Sequence, residues 1–315
     1  MSNFDEKSVK KKTDLGGKIA KAIKDNWVGY LYISPLILGL LIFTLYPLLS
    51  SLYYSFFDVN LVTPIQNFGL QNYQSILFGE NSPLFWQSLK NTAVYAIVSI
   101  PLSMTLSYLL ALSITKNTKR NYALRILYYL PVLIPSVVVG ILWQDLLNVN
   151  YGVINTILHN YLGFEKMDFM ARDTIMPTFI AIQLLSIGGG MIIWIAQFKA
   201  IPDVYYEAAQ IDGANKIRCF FKITLPLSTP SIFYNLVMGV IGGFQVFGSA
   251  YVLTGGTGGD GNGLYFLVMF IYNKAFDEIN FGVSSAASWM LFLIIGILTL
   301  FSFQTKKWVH YSEEM

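Results

Sequence analysis

The 315-residue sequence contains one cysteine and two histidines, and only 12% of its residues are charged, against 54% hydrophobic. With Cys219 alone, an intramolecular disulfide is excluded, and the residue reads as a small packing side chain. His159 and His310 are far apart, no His/Cys/carboxylate cluster has ligand spacing, and no metal site is expected. A Walker A phosphate loop is missing, so any ATP, with its Mg, must be bound by another chain. The apolar stretches carry no row of charges, which argues against an ion channel or a secondary, proton-coupled transporter; Asp145 is the lone candidate and reads as an interfacial carboxylate. So little charge in so long a chain excludes an ordinary soluble domain and points to a multi-pass membrane protein, with lipid rather than nucleic acid around it.

Six stretches are long enough to cross a bilayer as helices, near residues 30–57, 91–114, 124–147, 175–198, 231–251 and 284–303. Pro35 and Pro47 in the first, and Pro131 and Pro135 in the third, predict kinks. Cations mark the sides. Seven lysines precede residue 26, four cations lie at Lys116, Lys119, Arg120 and Arg125, four at Lys199, Lys216, Arg218 and Lys222, and two at Lys306 and Lys307. Only Lys90, Lys166, Arg172 and Lys274 fall on the alternate side. By the positive-inside rule the chain is all-α with six transmembrane helices and cytoplasmic N- and C-termini. Its parts are a lysine-rich arm (1–26), a first span with an external segment (27–89), a five-helix core (90–303) with a cytoplasmic loop (200–230), and a tail (304–315). The arm does not read as a cleavable signal peptide, because the apolar run behind it is too long.

The loop is a polar island between apolar runs. Pro202 suits a first helical turn, Asp203 and Glu207 suit the positive end of a helix, and Gly213 is a natural stop. A second short helix is expected over 215–224, with Ile217, Phe220, Phe221 and Ile223 on an apolar side. Leu225-Pro226 is expected to break it. Spacing alone fits any amphipathic loop of a membrane protein. The residues Glu207, Ala208, Ala209, Asp212, Gly213 and Ala214, followed by Phe220, Ile223, Leu225, Pro226 and Pro230, resemble the signature loop of ABC importer permeases. Further segments resemble the carbohydrate branch: Phe68-Gly69-Leu70-Gln71-Asn72-Tyr73, Ser88-Leu89-Lys90-Asn91-Thr92, the proline-rich Leu130 to Ser136, Thr254-Gly255-Gly256, and Ile271-Tyr272-Asn273-Lys274-Ala275-Phe276. The likeness covers nearly everything after Asn26. One departure stands at Thr257-Gly258, where the family usually has Gly-Pro, and a looser external loop is expected there. Within that loop Gly256 to Gly261 matches Gly-x-Gly-x-x-Gly, but without a βαβ context the dinucleotide reading fails.

The resemblance implies a type I ABC importer permease fold and a transport subunit, not an enzyme, in a bacterial cytoplasmic membrane. Its partners would be a second homologous permease, two ATPase subunits and an external sugar-binding protein, and its cargo a sugar, chiefly an oligosaccharide. Glycerol phosphate or another polyol is the alternative within the class. Glu207, Ala208, Ala209, Asp212, Gly213 and Ala214 would form the helix that docks on the ATPase. For a neutral, hydroxyl-rich cargo the side-chain candidates are Ser136, Gln144, Gln183, Ser186, Gln245 and Tyr251. Counting from shared motifs to the sugar-holding positions of maltose-type permeases adds Gly189, Gly239 and Gly243, which would widen the pathway for a longer glycan. For Gly239 and Gly243, a Gly-x-x-x-Gly pair, close helix contact is the competing reading.

Overall fold

The computed structural model describes residues 25–60 and 65–309. The lysine arm up to Lys24, and His310 with the end of the tail, lie outside the described residues. Among those described, extended pairing is confined to the isolated bridges Asp58–Gln66 and Asn60–Asn280; the rest is helices and turns. The chain divides into two units, Met1–Tyr54 and Ser55–Met315.

In the first unit, α1 (Trp27–Leu40) runs through a π-helical turn (Leu41–Leu45) into α2 (Tyr46–Ser55), making one apolar rod. The Tyr46 N–H bonds five residues back, to Leu41 O. The wider turn leaves room for Pro47, whose ring crowds the carbonyl four residues back in a regular helix.

The second unit starts with α3 (Gln71–Leu77) and the mast of the molecule, α4 (Ser82–Ile114). α4 begins at Ser82, with Pro83 in its first turn, rather than near residue 91 as expected. The third expected span is not one helix. α5 (Lys119–Tyr129) passes through a 3₁₀ turn (Leu130–Leu133) and meets α6 (Ser136–Leu146) at 94°. Ile134 (ψ 124°) is extended at the corner, because a residue before proline avoids the helical region, and Pro135 (ψ 140°) is extended after it. The expected kink is thus a right-angle break. α7 (Val153–Leu162) follows, and then α8 (Ile175–Leu184) bends by 44° into α9 (Gly188–Ala200).

α10 (Asp203–Ile211) and α11 (Lys216–Cys219) form the polar island. Pro226 does not end the helix that follows. A π turn (Phe220–Thr224) precedes it, the Leu225 N–H bonds Phe220 O, and α12 (Leu225–Leu227) and α13 (Thr229–Phe244) continue with only Ser228 between them. The arrangement is the one seen at Pro47, and it has the same cause. α13 breaks at Phe247 (φ −151°, ψ −72°) before α14 (Gly248–Leu253). α15 (Leu267–Tyr272), a third π turn (Asn273–Asp277) and α16 (Phe281–Gln304) complete the fold. Among the described residues, four helical rods are long and apolar enough to cross a bilayer, or six if each bent pair counts as one span.

α4 threads two buried clusters. The upper joins Phe85, Tyr95 and Ile100 to Phe179 of α8, Phe266 and Phe270 near α15, and Leu291 of α16. The lower joins Tyr108, Ala111 and Ile114 to Met191, Trp194 and Phe198 of α9. Trp194 is 1% exposed, and its Nε1–H donates to Ser107 Oγ at 3.0 Å.

The loop after α14 is tied down rather than loose. Gln87 Nε2 donates to Gly261 O (2.8 Å), Asn91 Nδ2 to Asn262 O (2.7 Å), and the Leu264 N–H to Gly258 O (2.8 Å). Gly258 has φ +80°, and a Cβ there would lie 2.6 Å from Tyr265 Cβ. Close glycine packing supplies the fixity expected of a proline.

Candidate functional site

Two features carry the chemistry. The first is the polar island. α10 opens with Pro202 as its N-cap and Asp203 in the first turn. It closes in a Schellman motif. Gly213, at φ +73°, donates to Gln210 O (3.0 Å), and Ala214 donates to Ala209 O (2.8 Å). Asn215 then caps α11 by accepting from the Arg218 N–H at 2.8 Å. α10 buries no side chain, and its tether is the Tyr206 hydroxyl, 2.9 Å from Thr224 Oγ1. Glu207, Ala208, Asp212 and Gly213 are exposed, and Ala209 and Ala214 half-buried. Val204, Ala208 and Ile211 share one face of α10, and Ile211 is 88% exposed. Ile217 and Phe221, expected on a packed apolar side, are exposed too; within the expected set, Phe220 turns inward against Tyr108. The result is an exposed apolar patch with acidic and basic neighbours, the composition of a docking surface.

The second feature is a pair of adjoining cavities beside α4, of about 440 and 290 Å³. The larger falls in the usual range for small-molecule sites, roughly 300–1,000 Å³. Three helix breaks converge on it: Pro135-Ser136, the turn after Gln183, and Gln245 to Gly248. Broken helices facing a cavity are how membrane proteins expose backbone polar groups to a cargo. Neither lining contains Asp, Glu, Lys or Arg.

Of the sequence-derived pathway residues, Ser136, Gln183, Gly239, Gly243 and Gln245 line the larger cavity, and Ser186 the smaller one, which also shares Gln183 and Gly239. Gly189 and Tyr251 stand off both linings, as does Gln144. A Cβ on Gly189 would meet Val132 at an ordinary 3.7 Å. Gly239 and Gly243 sit against α4, where a Cβ would lie 2.9 and 3.1 Å from Ile100. They act as a close helix contact as well as cavity wall. Gly242 is the glycine whose missing side chain leaves open space, with nothing within 4 Å of a Cβ. Sequence reasoning missed it, and also missed Tyr95, Ser99, Ser103 and Ser107, which run down one side of α4. Their spacing of four residues was visible in the sequence. Ser103 and Ser107 donate to carbonyls three residues back (3.0 Å each), which leaves the Ser103 oxygen available as an acceptor, while that of Ser107 already accepts from Trp194.

Tyr251 belongs to an aromatic group at the upper edge. Its ring lies 5.1 Å from those of Phe247 and Tyr272, and Tyr272 lies 4.7 Å from Phe276. Beside it, Asn273 Nδ2 donates to Gly256 O (3.1 Å) and to the Tyr265 hydroxyl (3.2 Å). Burial pushes the Tyr265 phenol above its ordinary range, outweighing that hydrogen bond.

Residues 103–310 match the family of binding-protein-dependent transport system inner membrane components. The chain is 37% identical over 295 residues to the probable ABC transporter permease protein YesP of Bacillus subtilis (strain 168), covering 92% of this chain and 94% of that one. It is 30% identical over 309 residues to the sulfoquinovosyl glycerol transport system permease SmoG of Agrobacterium fabrum, covering 93% of each. Among solved structures, a chain of a bacterial ABC transporter that imports the acidic polysaccharide alginate superposes with a TM-score of 0.79 at 22% identity, over 93% of this chain and 100% of that one.

Proposed function

The chain belongs to the binding-protein-dependent transport system inner membrane component family and is a multi-pass permease subunit, and from that premise we propose that it carries a neutral oligosaccharide through an ATP-driven importer. The observation that carries the reading is the cavity at three helix breaks, lined by hydroxyls, carboxamides and glycines without a single charge. A phosphorylated or acidic cargo calls for Arg or Lys along its path. The solved importer is named for an acidic polysaccharide; the uncharged lining here supports a different cargo.

Each half of the coupling has its residues. Glu207 to Ala214 would dock on an ATPase subunit, which holds the ATP and Mg. From there the route inward is continuous: Tyr206 to Thr224, Phe220 to Tyr108, Tyr108 to Ser228 Oγ at 2.9 Å, and α13 to Gly239 and Gly242. A push on α10 then tilts α13 against α4 as a packed body, opening or closing the cavity. The cation bias supports cytoplasmic termini in a bacterial cytoplasmic membrane, with residues 27–89 as span and external segment, 90–303 as core, 200–230 as coupling loop and 304–315 as tail. The working assembly is this chain, a second homologous permease, two ATPases and an external sugar-binding protein.

The test is vesicle uptake by the whole importer, comparing neutral with uronate-containing oligosaccharides and wild type with Glu207→Lys. Uptake of neutral chains that Glu207→Lys abolishes, together with loss of the co-purifying ATPase, is the expected outcome. Preferential uptake of the uronates would sink the neutral-cargo reading, and normal coupling in Glu207→Lys the coupling assignment.

A further inference from the structure

The aromatic group at the upper edge of the cavity is continuous with the cavity itself. Phe247 lines the larger cavity, its ring sits 5.1 Å from those of both Tyr251 and Tyr272, and Tyr272 leads to Phe276, which is 64% exposed. The four rings therefore grade from cavity wall to surface. Two neighbouring elements hold them. On one side the glycine loop presses on Tyr251, where a Cβ on Gly256 would come within 3.0 Å of the ring. On the other, the π turn Asn273–Asp277 sets Phe276 beside Tyr272, closed by the Glu278 N–H to Asn273 O at 2.9 Å. π turns of this kind occur often at functional positions.

The polar groups nearby fit hydroxyls rather than anions. Asp277 and Glu278 are exposed carboxylates at the rim. Lys274, the cation of this turn, is 7% exposed and already paired with Glu278. Asn273 Oδ1 is buried and accepts no hydrogen bond. Flat aromatic faces bordered by acceptors suit the C–H faces and hydroxyls of a sugar ring.

We infer that Phe247, Tyr251, Tyr272 and Phe276 form an outer carbohydrate subsite, on which the trailing rings of a neutral glycan rest while its leading end occupies the cavity. The inference rests on the importer reading above and deepens it, because a cargo that uses both places is longer than the cavity holds. Neither Tyr272 nor Phe276 lines the cavity, so their effect depends on chain length.

The experiment gives cells expressing the complete importer a pool of neutral oligosaccharides released from plant polysaccharide and follows depletion by mass spectrometry, chain length by chain length. In Tyr272→Ala and Phe276→Ala the apparent KM for the longest chains taken up should rise about tenfold, with the shortest within about twofold and the maximal rate unchanged. Tyr272→Phe, which keeps the ring, should behave as wild type. Loss that is equal at every length, with or without release of the second permease from the purified complex, would make the rings a structural or partner contact and overturn the subsite. Unchanged uptake at every length would do the same. Wild-type uptake confined to the shortest chains would overturn the subsite and leave the importer reading standing; no uptake from the pool at all would overturn both.

Discussion

Gly213→Ala isolates the backbone term in coupling. Gly213 holds φ +73° and closes the Schellman motif of α10, yet nothing lies within 4 Å of where a Cβ would stand. The substitution therefore creates no clash, and its cost is that of a left-handed conformation in an L-residue, roughly 1–2 kcal/mol. α10 has nine residues, fewer than the 12–15 or so that sustain an isolated helix, and buries no side chain. Its ordering rests on its caps and on the Tyr206–Thr224 bond. A loss of 1–2 kcal/mol shifts such a local equilibrium about 5–30-fold. If docking requires the formed helix, Gly213→Ala weakens ATPase binding by that factor. Gly213→Asn, which tolerates this conformation, should stay within about threefold. The assay titrates labelled ATPase subunit onto the permease in nanodiscs, with hydrogen exchange of amides 209–214 read in parallel. Wild-type affinity in Gly213→Ala, or equal weakening by Ala and Asn, would refute the reasoning, the second because it points to side-chain bulk at the interface.

The two classes of glycine on α13 should part company. Gly242→Leu fills open space, so uptake falls at least about tenfold while stability in thermal unfolding stays within about 0.5 kcal/mol. Gly239→Leu drives into Ile100 and should lower stability itself by about 1–3 kcal/mol. Arg125 closes the end of α4, its Nη2 donating to Ile114 O (2.7 Å) and Thr115 O (2.6 Å). Arg125→Lys loses the planar fork, for an expected loss of about 1–2 kcal/mol in thermal unfolding of the solubilised complex.

Long-range composition and short-range chemistry were legible in the sequence, while geometry set by contact was not. Apolar length marked the spans, and the Gly213 stop followed from glycine's freedom at positive φ. Pro135 announced a kink but not its angle, because 94° depends on two prolines acting together with a residue forced extended at Ile134. Pro226 was misread as a break because a helix can widen ahead of a proline and continue, as it also does at Pro47. Gly239 and Gly242 are the same residue type three positions apart, and only the neighbouring helix decides that one is a contact and the other a void. The loop at Gly258 looked loose for want of a proline, since its tethers come from Gln87 and Asn91, far away in sequence.

The π turn at Phe220–Thr224 also acts as a length gauge. It holds one residue more than a regular turn, and everything beyond it, including the cavity face of α13, is phased by that residue. Deleting one position between Cys219 and Leu225 would restore a regular helix, rotate α13 by about 100° and swing Gly242 away from the cavity. It would also set the Pro226 ring against the Lys222 carbonyl. The residue count of this stretch is therefore constrained: it keeps the exposed face of α10 and the cavity wall of α13 in register.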